Sequence, residues 1–333
     1  MKLYFCTLFD SNYFFRGLTL YYSLYSHCKQ FHLYIFAFDD FCYSKLIELN
    51  LPSTTVIPLS EFETKDLLKV KQKRTSAEYC WTSTPLTIWY CLKSFGLSHC
   101  TYIDADTFFF QSPMVLLKEM KKHSVLITKH NYSPQYDQSK KSGTYCVQFI
   151  TFKNNTDGLR VLEWWKKSCL RWCFNKFEKN RFGDQKYLDD WTERFKGVYV
   201  LKHIGGGVAP WNVQQYDSYI QNTVLWIKER ITCIKQHVIF YHFHGLRIYR
   251  LKNHLFIFSP LLYTITYKQW VNFYGMYRAQ LQNAYDIIQK ADPDFTNGIY
   301  PFHIFLYDAV YKYIVSFPYL FIKKIFRPYE TYG

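Results

Sequence analysis

The stretch TYIDADTFFF, residues 101–110, decides how this chain is read. An apolar run closing on Tyr102-Ile103 meets two carboxylates one residue apart, Asp104 and Asp106, and turns apolar again at Phe108-Phe109-Phe110. A short apolar run of this kind reads as a buried strand. Two ionised carboxylates this close repel each other, so a buried strand ends on them only where something cationic balances them. A bend at the strand end lets both address one site. A hard divalent cation, Mn2+ or Mg2+, suits such oxygen ligands when a diphosphate supplies further ones.

The segments on either side repeat one unit. KLYFCTLF (2–9) reads as a strand, residues 12–28 as a helix, FHLYIFAFDD (31–40) as a strand, SKLIELN (44–50) as a helix and STTVIPL (53–59) as a third strand. Residues 76–96 form a helix with a glycine stop that leads into the opening stretch. Strand and helix in alternation imply an α/β fold with a mostly parallel central sheet. In such sheets ligands sit beyond the carboxyl ends of the strands. Asp10, Asp39, Asp40, Asp104 and Asp106 all fall at such ends. Farther on, 124–130 and 145–154 are apolar runs, 157–177 is a long amphipathic helix, and 255–333 is rich in Tyr, Phe and Lys and expected to be mainly helical. The expected division is a catalytic domain over 1–253 and a C-terminal extension over 254–333.

Composition narrows the classes. Half of the 333 residues are apolar and 21% are aromatic, which excludes extensive disorder. The formal charge of +15 favours anionic partners: phosphorylated small molecules, anionic lipid or nucleic acid. Basic residues are dispersed and no recognition motif appears, so nucleic acid is the weaker reading. Eight of the ten cysteines, Cys6, Cys28, Cys42, Cys80, Cys91, Cys100, Cys146 and Cys233, lie in or beside apolar runs, as reduced core thiols do. Cys169 and Cys173, four apart on the expected helix, lack a second Cys/His pair at zinc spacing. The N-terminus is apolar for only a few residues before Asp10, and no run of eighteen uncharged apolar residues occurs. Neither leader nor membrane span is expected, and a cytoplasmic protein is. The aromatic stretch 302–328 carries Lys323, Lys324 and Arg327 near its end. It reads equally as packing against the catalytic domain and as an interfacial anchor on an anionic membrane, at its inner face.

TYIDADTFFF resembles the acidic metal motif of glycosyltransferases with the nucleotide-sugar (GT-A) fold, a single Rossmann-like α/β domain. TLFDSNYFFRGLTLYYSL (7–24) is similar to that fold's opening strand and helix, where an Asp/Asn/Tyr loop meets the nucleotide. GDQKYLDDW (183–191) resembles the Asp-Gln motif of the retaining branch that includes glycogenin and bacterial lipopolysaccharide galactosyltransferases. IFYHFHGL (239–246) matches that branch's late His-x-x-Gly. The motifs come in family order over residues 3 to about 250. The resemblance implies a metal-dependent transferase that moves a sugar from a UDP-sugar to a glycan or lipid-linked acceptor. Asp104, Asp106 and a late His would hold Mn2+ or Mg2+. Thr7, Asp10, Tyr13, Asp39 and Gly245 would meet the nucleotide, and Asp184 and Gln185 the sugar. For the late His, His242, His244 and His203 all stand open, with His242 favoured by its position after PWNVQQY (210–216).

Two departures accompany the likeness. The family's Asn-x-Gly strand motif is Cys146-Val147-Gln148 here, and the lysine expected after the late glycine is absent, with Arg247 or Lys202 as its substitute. An inverting reaction would need Asp189 or Asp190 as base. Asp184 also reads as a helix N-cap, and Gly205-Gly206-Gly207 as either a phosphate-approaching loop or a surface turn. A nucleotidylyltransferase shares the fold and the acids, but would need a glycine-rich basic loop after the first strand, which TLFDSNYFF lacks.

Overall fold

The computed structural model describes residues 2–252 and 254–316. Strand β1 (Leu3–Phe9) is apolar on both faces and buried along nearly its whole length, as a central strand covered on both sides must be. Helix α1 (Phe14–His27), β2 (Phe31–Ala37), α2 (Asp40–Leu49) and β3 (Thr54–Pro58) repeat the unit. Helix α3 (Ser76–Ser94) leads to β4 (His99–Ile103), the strand of the opening stretch. After the acidic turn come β5 (Thr107–Phe109), β6 (Val125–Lys129), β7 (Tyr145–Lys153), α4 (Thr156–Arg171) and β8 (Val198–Val200). The main sheet runs β3-β2-β1-β4-β7-β6-β8, parallel throughout except β7, which is antiparallel to both neighbours. The α/β class and the mostly parallel sheet are as the alternation implied.

Side chains of β1 alternate between two cores, following the two-residue period of a strand. Leu3, Phe5 and Phe9 pack on the α1 side with Phe14, Phe15 and Leu18. Cys6 and Leu8 pack on the other side with Ile88 and Leu92 of α3 and with Val161 and Trp165 of α4.

The remaining strands are β9 (Gly206–Val208), β10 (Tyr216–Gln221), β11 (Val224–Glu229), β12 (Lys235–His237), β13 (Phe240–His242), β14 (Arg247–Leu251) and β15 (His254–Phe258). They are followed by α5 (Gly275–Ala291), β16 (Ile299–Pro301) and α6 (Phe302–Val310). A small sheet, β5-β13-β9, stands beside the acidic turn. The C-terminal region folds back onto the first unit: α5 packs along α1, and the Phe295 ring lies 5.2 Å from both Phe14 and Phe15.

Several expectations need correction. A 3-10 turn at Ser11–Tyr13 precedes α1. Helix α4 stops at Arg171 with Trp172 extended, so Cys173 lies beyond the helix that holds Cys169. Beside the helices expected in the C-terminal region, β15 and β16 build a three-stranded sheet with β14. β14 and β15, which flank the expected boundary at 253–254, pair antiparallel. The glycine run is neither a loop nor a surface turn. Gly206 and Gly207 open the buried strand β9, and a Cβ on Gly205 would come within 1.9 Å of the His237 carbonyl oxygen. Cys233 is exposed, not a core thiol. Among the described residues no helix is long and apolar enough to cross a membrane. Lys323, Lys324 and Arg327 lie outside the described residues.

Candidate active site

The acidic turn is built by backbone pairing. The Asp104 N–H donates to the Gln148 carbonyl of β7 (3.2 Å), and the Thr107 N–H returns to the Asp104 carbonyl (3.1 Å). Strand β5 starts at Thr107 and pairs antiparallel with β13, with Thr107 opposite His242. The Phe243 N–H donates to the Asp106 carbonyl at 2.8 Å. This register brings His242 from far along the chain to the acids. Its Nε2 lies 3.0 Å from Asp106 Oδ1 and 3.8 Å from Asp104 Oδ2. Nδ1 faces Gln148 Oε1 at 2.7 Å; a carbonyl oxygen only accepts, so Nδ1 carries hydrogen and Nε2 is aimed at the acids.

The electrostatics follow from crowding. Burial pushes Asp104 up to about 6, offset by the His242 charge and reinforced by Asp106. Asp106 is held down to about 2 despite its burial, because His242 faces it directly. His242 in turn is held well above the ordinary histidine value by Asp106, against a burial penalty. Charge on His242 and charge on the two acids therefore favour one another, and a cation bound by all three would take the place of the Nε2 proton. His244 is the other late histidine the fold brings here: ligand atoms of Asp106, His242 and His244 all lie within 4.8 Å of one another. The Trp211 ring sets its edge against both imidazoles, at 5.3 and 5.6 Å. His203 is elsewhere, with Nδ1 accepting from the Gly205 N–H and with Glu119 and His237 nearby.

Asp184 is buried and close enough to Asp104 to feel its charge; burial and that charge push its carboxyl up to about 8. The Trp165 indole N–H fixes its backbone through the carbonyl oxygen (2.9 Å). Asp184 is not a helix cap. The 3-10 turn begins at Lys186 with Gln185 in the capping position, and the half-buried Gln185 side chain makes no capping bond. Asp189 is tied to Lys186 Nζ (2.7 Å) and to the Thr144 N–H (2.7 Å), while Asp190 pairs with Arg194.

The expected nucleotide residues divide. Asp10 accepts from the Asn12 and Tyr13 N–H groups (3.0 and 3.2 Å), and Asp39 from Ser11 and Cys42 (2.7 and 2.6 Å), so both carboxylates shape the 10–13 loop. That loop presents Tyr13, whose hydroxyl is pushed up to about 12 by desolvation and by the nearby Asp106 charge. Thr7 is fully buried inside β1 and its hydroxyl has no partner among the described residues. Gly245 has φ +67°, and a Cβ there would meet Leu261 Cδ1 at 2.2 Å, so only glycine fits. Beside it opens a cleft of about 470 Å3, lined among others by Asn12, Tyr13, Arg16, Gly245, Arg247 and Tyr300. Arg247 therefore reaches this cleft, whereas the Lys202 backbone is held by Glu119, beside His203. Arg16 was missed in the sequence; its only signal there is a lone charge in the apolar run Phe14-Phe15-Arg16-Gly17-Leu18.

No family model matches the chain. Over 318 residues it is 30% identical to the uncharacterized protein YfnD of Bacillus subtilis (strain 168), covering 90% of this chain and 95% of that protein. The chain belongs to the YfnD family. A second member, the uncharacterized protein YfnF of the same organism, is 29% identical over 303 residues, 88% of this chain and 96% of YfnF. Among solved structures, the galactosyltransferase LgtC in complex with donor and acceptor sugar analogs overlaps 73% of this chain and 87% of its own, at 11% identity and a TM-score of 0.47. Mouse xyloside xylosyltransferase 1 overlaps 73% of this chain and 98% of its own, at 12% identity and a TM-score of 0.46. Scores this low leave the activity of the YfnD family to be read from side chains.

Proposed function

We propose that this protein is a metal-dependent glycosyltransferase that takes a UDP-sugar and passes the sugar to a glycan or lipid-linked acceptor. The observation that carries this reading is the convergence of Asp104, Asp106 and His242 beside a cleft lined by two arginines. Carboxylate oxygens and imidazole nitrogens form a donor set suited to Mn2+ or Mg2+. A cation held by Asp104, Asp106 and His242 would neutralise the charge that develops on the departing diphosphate. Gln148 keeps Nε2 of His242 directed at the acids. Asp184 and Gln185 serve the sugar. A carboxyl held near 8 is largely protonated at neutral pH and can donate to a sugar hydroxyl as well as accept from one. Asp189 and Asp190 each pair with a cation, which accords with a retaining transfer in which the leaving diphosphate takes the acceptor's proton. The C-terminal stretch contributes contact with anionic membrane, through exposed side chains such as Leu306, Tyr307 and Tyr311.

Calorimetry with UDP and Mn2+ tests the core of this reading. UDP should bind the wild type in a manner that depends on Mn2+, and Asp106→Asn should lose that dependence. Equal UDP affinity in the two proteins would overturn the site. Asp184→Asn and Gln185→Ala should lower turnover of UDP-sugars while leaving UDP affinity nearly intact.

A further inference from the structure

Arg16 is the least expected charge in the molecule. It lies on the first turn of α1 with only 6% of its surface exposed. Its guanidinium donates to two backbone carbonyls, Asn12 (3.2 Å) and Leu246 (2.8 Å). It forms no ion pair with any described residue. Asp106 feels its field without touching it. The Tyr13 ring lies against it at 4.6 Å, which restrains the plane of the group.

A buried cation without a counter-ion is costly, and structures retain one where an anion completes it. Arginine has five N–H donors, and two carbonyls do not exhaust them. The group lines the cleft beside Gly245. Arg247, the other arginine there, already holds both carboxylate oxygens of Asp308 at 2.8 and 2.7 Å. Its charge is therefore answered from within the protein, and that of Arg16 is not.

We propose that Arg16 binds the diphosphate of the donor directly, with paired N–H groups on phosphate oxygens, and so does the work of the lysine missing after Gly245. Guanidinium is matched to phosphate by its planar fork in a way that an ammonium is not. The two backbone anchors preorganise it: Asn12 belongs to the loop that presents Tyr13, and Leu246 follows Gly245. Both walls of the cleft are thereby joined at one charge, near enough to the acidic turn for Asp106 to feel its field. This inference rests on the proposed donor class.

The test is titration of the full-length protein with UDP and with uridine, each in the presence of Mn2+. Arg16→Gln should lose UDP affinity by roughly 10- to 100-fold, the range expected for hydrogen bonds to a charged group, while uridine affinity moves by less than about twofold. Arg16→Lys keeps the charge but not the fork, and should lose about tenfold for UDP alone. Thermal unfolding reports whether each variant is folded. If Arg16→Gln does not fold, Arg16→Lys decides: UDP affinity equal to that of the wild type overturns the guanidinium contact. Equal losses for UDP and uridine in a folded variant make Arg16 structural and also overturn it. A wild type that binds neither probe removes the donor reading, and this inference with it. A wild type that binds UDP, with Arg16→Gln and Arg16→Lys unchanged, removes only this inference.

Discussion

At the scale of the residue, the site depends on one amide that chemistry alone would not have selected. Gln148 joins the two halves of the site: its carbonyl receives the Asp104 N–H and its side-chain oxygen receives His242 Nδ1–H. Partners that orient a metal-binding histidine typically contribute 10- to 100-fold in metal affinity. Gln148→Leu removes the side-chain contact and keeps the backbone pairing, so Mn2+ affinity should fall by about that factor with the fold intact. Calorimetry with Mn2+ alone reads the first effect and circular dichroism the second. An unchanged Mn2+ affinity would mean that strand pairing positions His242 unaided.

At the scale of the element, α3 shows how local chemistry sets a boundary that the sheet then uses. Thr75 and Glu78 form a reciprocal capping box, with Thr75 Oγ1 accepting from the Glu78 N–H and Glu78 Oε2 from the Thr75 N–H (2.9 Å). Glu78 also accepts from the Asn175 N–H at 2.8 Å, tying the start of α3 to the segment after α4. Despite a desolvation penalty, these backbone donors hold the Glu78 carboxyl below its ordinary value. The linkage is therefore that of a depressed acid: its contribution is fully present above the unfolded value of 4.5 and is lost as pH falls through the lower folded value. Urea unfolding of Thr75→Ala at neutral pH should show a loss of about 1 kcal/mol. For Glu78→Gln, the difference from wild type should shrink as pH is lowered below about 4.5; a difference that grows on acidification would contradict the capping role.

At the scale of the whole molecule, the C-terminal region closes the wall of the cleft. Asn297 Nδ2 donates to Ser11 Oγ (3.0 Å), and at Gly298, with φ +74°, a Cβ would sit 1.8 Å from the Asn12 carbonyl oxygen. Asp308 of α6 is buried and receives both Arg247 and the Tyr249 hydroxyl. Gly298→Ala should therefore push residues 296–301 off the Asn12 loop and weaken UDP binding. Asp308→Ala should release α6 from β14 and expose residues 299–316 to limited proteolysis, with the main sheet still protected; an unaltered cleavage pattern would show that α6 is held by its apolar contacts. The membrane reading is tested by sedimentation with anionic liposomes. Full-length protein should pellet more than a chain ending near residue 295, and less as salt screens the charges over about 8–10 Å. Equal pelleting of both chains would place any anchor outside the tail.

What the sequence determined by itself was local. Apolar runs of strand length separated by amphipathic ones require a parallel sheet covered on both faces, and acids at strand ends mark where such a sheet meets a ligand. Asp104 and Asp106 were legible because a turn beside a buried strand is a short-range event. The choice among His203, His242 and His244 was not legible, because all three lie beside apolar or glycine-rich runs and local pattern does not report which strand each will pair with. The antiparallel register of β13 on β5 brings His242, and with it His244, to the acids and leaves His203 elsewhere. The same holds for Arg16. In sequence it is one charge in an apolar helix, and only the packing of the C-terminal region and of Leu246 against α1 buries it without an ion pair. Burial and charge balance are sums over distant segments, so the groups whose chemistry depends on them become visible only when the chain is folded.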